Sequence, residues 1–141
     1  MSWTFDVDGT LIGSVRSDRL RPGAVELLEG LTRRGAVIVL WSAGGDDYAR
    51  RKACEHGIDR FFDAFYAKAN RDARGRYTVD HFAPEHRPAV FVDDSPIDLP
   101  VDSLVDLPVG ARVVAVAQFI GGNAADRELF EVLGQLDVLT Q

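Results

Sequence analysis

The chain has 141 residues and a mass of 15.5 kDa, enough for one domain with a substantial core and too little for two of ordinary size. With 46% hydrophobic residues it is ordinary for a globular protein, and no apolar run approaches the roughly 20 residues of a membrane span. A formal net charge of −6 disfavours docking a polyanion such as nucleic acid on a general basic surface.

The N-terminus carries no basic segment followed by an apolar stretch, so a cytoplasmic location is expected. A lone Cys54 forms no internal disulfide and reads as a half-buried small residue. Residues 3–8 read as a buried strand: Trp3, Phe5 and Val7 share one face, while Asp6 and Asp8 fall on the other at its carboxyl end, before a turn at Gly9. Arg21-Pro22-Gly23 introduces a helix whose stripe is Val25, Leu28 and Leu31, with Leu27 alongside and Gly35 as its cap.

A second strand, Ala36 to Trp41, is almost unbroken Val, Ile, Leu and Trp, the pattern of a strand covered on both faces. It runs into Ser42-Ala43-Gly44-Gly45 and a helix of about ten residues from Asp46, closing near Gly57. A third strand near 64–67 leads into Lys68. Residues 69–87 are polar and predict loop, with a short hairpin or helical turn through Tyr77–Phe82. The fourth strand, 89–92, is tipped by Asp93-Asp94, and the Pro-punctuated run to Pro108 predicts loop with one short helix. Arg112–Ala117 is a fifth strand, followed by one amphipathic helix with Leu129, Val132, Leu133 and Leu136 on a side.

Five short strands alternating with helices predict a single α/β domain over 1–141: an open, mostly parallel five-stranded sheet with helices on both faces. In such sheets ligands bind beyond the carboxyl ends of the strands. Four of the five strands deliver Asp, Ser, Lys or Asp-Asp there.

Two carboxylates at the end of a buried strand repel each other and must shed water unless a cation or hydrogen-bond donors compensate. Asp6 and Asp8, joined by Asp93 and Asp94, therefore point to a hard divalent ion such as Mg²⁺, held by a few oxygens together with water and substrate phosphate. Beside such an ion a carboxylate can attack phosphorus, and a second acid can protonate the leaving oxygen and then activate water. The Ser42–Gly45 turn offers a hydroxyl and backbone N–H groups to the phosphoryl oxygens, and Lys68 offers a cation.

Asp6-Val7-Asp8-Gly9-Thr10-Leu11 resembles the first motif of the haloacid dehalogenase-like phosphohydrolases; Ser42 resembles their second, Lys68 their third and Asp93-Asp94 their fourth, in the same order. The resemblance implies a Rossmann-like three-layer sandwich with a squiggle and flap in residues 9–21. It implies Asp6 as the nucleophile that becomes an aspartyl-phosphate and Asp8 as general acid/base, binding Mg²⁺ through its backbone carbonyl. Ser42 and the adjoining Ala43 would bind the phosphoryl group, Lys68 would neutralise it and hold Asp6, and Asp93 would ligate Mg²⁺ with Asp94 assisting.

Asp8, a residue able to exchange protons, favours phosphoryl transfer over dehalogenation within that family. The family's third-motif Lys is often followed by Pro, here by Ala69, so Arg50, Arg51 and Arg71 stand as alternative cations. The short intervals between motifs resemble the capless branch. That branch implies a phosphorylated small molecule or phosphoprotein as substrate, with a second subunit able to cover the open site.

Several residues carry two readings. Lys68, Arg71, Arg74 and Arg76 are a solvated face or a local anion funnel, and Asp98 is a further acid near the metal or a helix N-terminal acid. Tyr48 and Tyr66 lie near loops and can border the pocket, whereas His56, His81 and His86 lack metal-ligand spacing. Two rivals to the phosphatase reading are a receiver-type phospho-acceptor domain, whose acidic pair comes first and Lys last, and a catalytically silent module that binds phosphate or metal.

Overall fold

The computed structural model describes residues 1–94 and 105–140. Its sheet has the order β3-β2-β1-β5-β7, every described pairing parallel: β1 is Ser2–Asp6, β2 Val37–Ser42, β3 Ala64–Ala67, β5 Val90–Asp93 and β7 Arg112–Ala115. This is the expected Rossmann-like α/β architecture. From the central β1 the chain builds outward first through β2 to β3, then through β5 to β7, so the order reverses between β1 and β5, the place where sheets of this kind bind ligands beyond the strand ends.

Alternation along the strands splits the core into two. Trp3 and Phe5, Ile38 and Leu40, and Val90 and Val92 face helices α1 (Ala24–Arg33), α2 (Asp46–Glu55) and α3 (Glu128–Gly134), burying Leu27, Leu28, Leu31, Ala49, Ala53, Leu129 and Val132. On the other face Val39, Trp41 and Phe91 pack against Val79, Phe82 and Val105. Trp41 is the hub there, meeting Phe82 and Phe91 edge-on at 5.5 and 5.4 Å and donating its indole N–H to the Ala67 carbonyl at 3.1 Å. That third layer includes a 3₁₀ turn, Pro84–His86, and two short strands paired in parallel, β4 (Tyr77–Thr78) and β6 (Val105–Asp106).

Helix α1 closes as expected: the Ala36 and Gly35 N–H groups reach back to the Leu31 and Thr32 carbonyls with Gly35 left-handed, and Gly57 closes α2 in the same way. Among the described residues no helix is long and apolar enough to cross a membrane.

Four details differ from expectation. Strand β1 ends at Asp6 because the Val7 carbonyl accepts the N–H groups of Thr10, Leu11 and Ile12, at 3.3, 3.1 and 3.2 Å, which coils the chain into a turn and takes Asp8 off the strand face. A small hairpin centres on 71–77, where the Asp72 carboxylate caps the N–H groups of Arg74 and Arg76, while Tyr77 and Thr78 pair with 105–106. The last helix breaks at Gln135 into α3 and a short α4 (Leu136–Leu139). The short helix expected before Pro108 and the residue Asp98 fall largely or wholly outside the described residues, and the visible end of that stretch is β6.

Candidate active site at the strand ends

Parallel pairing brings the carboxyl ends of β1, β2, β3 and β5 together. Asp6 lies opposite Trp41 and Ser42 opposite Ala67, so the last residues of the three strands β1 to β3 and the first residue beyond β3, Lys68, converge. The Lys68 N–H donates to the Ser42 carbonyl at 2.8 Å, fixing where the Lys68 side chain starts.

That side chain runs through an aromatic box. Its Nζ is 5.2 Å from the Trp41 ring centre, 5.9 Å from Phe91 and 6.0 Å from Tyr77. It ends 2.8 Å from Asp6 Oδ1, with both side chains about nine-tenths buried. Burial alone would push the ammonium down, but the charges of Asp6, Asp93 and Asp94 outweigh it and raise its pKa.

Asp6, Asp93 and Asp94 each offer a carboxylate oxygen to one small volume, the three atoms lying within 4.8 Å of one another. The Thr10 hydroxyl, itself fully buried, sits between Asp6 Oδ2 at 3.3 Å and Asp94 Oδ1 at 3.2 Å, with one proton to share between them. Burial first, and then the charge on Asp6, push the carboxyl groups of Asp93 and Asp94 well above the usual carboxylate range. Three acids against one ammonium leave an excess of negative charge in a poorly solvated place, and all three present hard oxygen donors. This chemistry fits a divalent cation of the Mg²⁺ type.

Asp8 stands apart from these three. It is exposed, and the Tyr48 hydroxyl donates to its carboxylate, 2.8 Å from Oδ1 and 3.0 Å from Oδ2. Burial and then that hydrogen bond push the Tyr48 phenol up to about 12, so it remains a donor at any ordinary pH. Helix α2 also reaches the 9–20 segment through Lys52, whose ammonium lies 3.0 Å from Asp18.

Ser42 is buried, and its hydroxyl oxygen accepts the Gly44 N–H at 3.0 Å, which shapes the turn before α2 and leaves the hydroxyl proton available to an anion. Ala43 follows as an exposed residue of that turn. Of the four cations considered for the third motif, Lys68 reaches Asp6. Arg50 stacks on Phe65, Arg51 pairs with Glu55, and Arg71 stacks on Tyr77. Tyr48 borders the site, whereas Tyr66 lies among Phe82, His81 and His86.

The turn that carries Asp8 is fixed from beneath by a residue the sequence pattern did not single out for the site. Arg21 is 1% exposed; it donates Nη1 to the Gly9 and Thr10 carbonyls at 3.3 and 3.2 Å, Nη2 to the Ala117 carbonyl at 2.7 Å, and a two-point bridge to Asp126 at 2.8 and 2.9 Å. A left-handed Gly9 completes the turn: a Cβ there would overlap Asp94 Oδ2. Arg21 carries no local sequence signal of this role, because its partners lie as many as 105 residues away; Thr10 stands in the first motif, but its bond to Asp94 spans 84 residues.

A family model described as "Protein of unknown function (DUF705)" matches residues 3–119. No curated protein matches the chain. Among solved structures, the crystal structure of an uncharacterized protein from Listeria monocytogenes serotype 4b is similar, at 16% identity and a TM-score of 0.52 over 99% of each chain, a likeness of fold alone.

Proposed function

The chain belongs to the DUF705 family, whose function is unknown, and from that premise we propose that it is a Mg²⁺-dependent phosphoric monoester hydrolase working through an aspartyl-phosphate on Asp6. The observation that carries the reading is the buried contact of Lys68 Nζ with Asp6 Oδ1 at 2.8 Å, inside a cluster that includes Asp93 and Asp94. The resemblance of the four motifs to the haloacid dehalogenase-like phosphohydrolases, in order along the chain, supports it.

Asp6, Asp93 and Asp94 would hold the cation with carboxylate oxygens, joined by the backbone carbonyl of Asp8. When bound, the ion offsets the charge of the acids and of the phosphoryl oxygens, so that an anion can approach an anion. An Asp6 carboxylate oxygen forms a bond to phosphorus as the ester P–O bond breaks. Asp8 delivers a proton to the departing oxygen, leaving the alcohol and an aspartyl-phosphate. It then takes a proton from water as that water attacks phosphorus; the acyl P–O bond breaks, and inorganic phosphate and the Asp6 carboxylate are released.

Lys68 bears on both partners of the first step. It donates to Asp6 and would neutralise a phosphoryl oxygen, while the Ser42 hydroxyl and the N–H groups of the turn through Ala43 would take the others. The substrate class is a phosphorylated small molecule or phosphoprotein.

Hydrolysis of phenyl phosphate by the wild type and by Asp6→Asn, with and without Mg²⁺, tests the reading. Turnover that needs both Mg²⁺ and Asp6 is expected. Equal turnover by the variant overturns Asp6 as nucleophile, and a long-lived phospho-aspartate without turnover returns the receiver-type reading.

A further inference from the structure

The charged loop after β3 resolves into cations with different partners. Lys68 is held by Asp6. Arg76 is held by Asp72 at 2.8 Å, with Asp106 a further 3.7 Å contact. Arg71 is exposed and pairs with no carboxylate among the described residues. Its guanidinium instead lies 4.3 Å from the centre of the Tyr77 ring, donates Nη2 to the Tyr77 hydroxyl at 2.6 Å, and reaches the Gly75 carbonyl with Nη1 at 3.3 Å.

Tyr77 is also a wall of the box around Lys68, whose Nζ lies 6.0 Å from the same ring centre. The two cations therefore share one ring and stand no more than about 10 Å apart, the limit set by those two distances. One is buried on the nucleophile and the other is exposed, held by contacts that leave its positive charge uncompensated by any described acid. Stacking on an aromatic face and hydrogen bonds to a hydroxyl and a carbonyl restrict the guanidinium before any ligand arrives. A ligand then has less side-chain freedom to remove.

We propose that Arg71 is a second anion-binding residue of the same site, and that the substrate is a phosphomonoester bearing a further anionic group that reaches Arg71 while its phosphoryl group lies at Lys68, the two cations standing no more than about 10 Å apart. The phosphoryl group goes to Lys68, and the further carboxylate or phosphate goes to Arg71. This inference rests on the phosphatase reading for its substrate but not for its geometry, and binding can be measured without turnover. Arg71 acts on specificity and takes no part in bond making.

Non-hydrolysable phosphonates test it by calorimetry in Mg²⁺ at low ionic strength: phenylphosphonate, 3-carboxyphenylphosphonate and 1,3-phenylenebisphosphonate. The wild type is expected to bind at least one of the two doubly anionic ligands about fivefold or more tighter than phenylphosphonate, an advantage that shrinks as salt is added. Which of the two gains more separates a carboxylate from a second phosphate. In Arg71→Gln the advantage disappears while phenylphosphonate affinity stays unchanged, and Arg71→Lys recovers part of it.

Three outcomes overturn the proposal: no advantage in the wild type, an advantage that survives in Arg71→Gln, or equal weakening of all three ligands in that variant. Turnover of two esters, followed in parallel, separates the two readings. Turnover of phenyl phosphate or of 3-carboxyphenyl phosphate without an advantage sinks the second anion site alone, and an advantage with turnover of neither ester sinks the phosphatase reading alone.

Discussion

Arg21 and Asp126, 105 residues apart, form a two-point ion pair beneath the Asp6–Thr10 turn, and the same guanidinium holds the carbonyls of Gly9 and Thr10. The Arg21 side chain is fully buried and that of Asp126 is 10% exposed, so removing either partner strands the other in a poorly solvated place. Arg21→Met is expected to destabilise the protein by about 3–5 kcal/mol in urea unfolding, as for other broken buried pairs. A loss below about 1 kcal/mol would show that the pair is dispensable.

Gly9→Ala tests the turn from above. The left-handed backbone strains any other residue, and a Cβ would overlap Asp94 Oδ2. The variant is expected to bind Mg²⁺ more weakly and to lose activity, because Asp94 must move out of the cluster. Unchanged Mg²⁺ affinity by calorimetry counts against Asp94 as a ligand.

The raised Asp93 and Asp94 carboxyls predict a coupling of metal, pH and stability. Burial and then the Asp6 charge push Asp93 up to about 6 and Asp94 up to about 8, against 3.8 for an ordinary Asp. Without divalent ions the folded state therefore binds more protons than the unfolded one in that window. This contribution to stability is complete below about pH 4 and is lost as pH rises through about 8. Melting curves with and without Mg²⁺ should thus show a Mg²⁺ stabilisation that grows from pH 5 to pH 8, as the ion replaces the protons. A stabilisation independent of pH would mean that Mg²⁺ binds elsewhere.

Tyr48 is one of three tyrosines, and its phenol is pushed up to about 12 by burial and by the carboxylate of Asp8. Its neutral form is favoured by the fold, so its contribution is present below pH 10 and lost as pH rises through about 12. Ultraviolet titration should show a late-ionising tyrosine that Tyr48→Phe removes and Asp8→Asn moves to lower pH. If the late step persists in Tyr48→Phe, another tyrosine carries it.

If the proposed function holds, Lys68 is expected to act in opposite directions on chemistry and on metal. Lys68→Gln should lower kcat by about 10²–10³, the size of a lost donor to a charged transition state. It should also tighten Mg²⁺, since an ammonium no longer competes for Asp6, Asp93 and Asp94. Weaker Mg²⁺ binding in the variant would show that Lys68 organises the acids more than it opposes the cation.

The five strands and the polar groups at their ends were legible because both are local patterns: Val37–Ser42 is a nearly pure apolar run, and Ser42, Lys68 and Asp93 mark where such runs stop. The division of the acids was not legible. Period-two spacing puts Asp6 and Asp8 on one face, and only the three bonds to the Val7 carbonyl separate them, sending Asp8 to Tyr48. Arg21 read as a helix-entry residue because its partners, at Ala117 and Asp126, belong to the far end of the chain. The two-residue strands β4 and β6 are too short for any periodic signal.

The central place of β1 bears on how the protein is made. Strand β1 needs two neighbours: β2, beginning 35 residues later, and β5, beginning 88 residues later. A chain that ends between residues 68 and 92 carries Asp6 and Lys68 without Asp93 and Asp94, and one that ends before residue 126 leaves Arg21 without its counter-ion. Contacts this distant in sequence slow folding, because the intervening chain must be ordered before they form. The acidic centre thus takes shape only once β1 and β5, far apart in sequence, stand side by side.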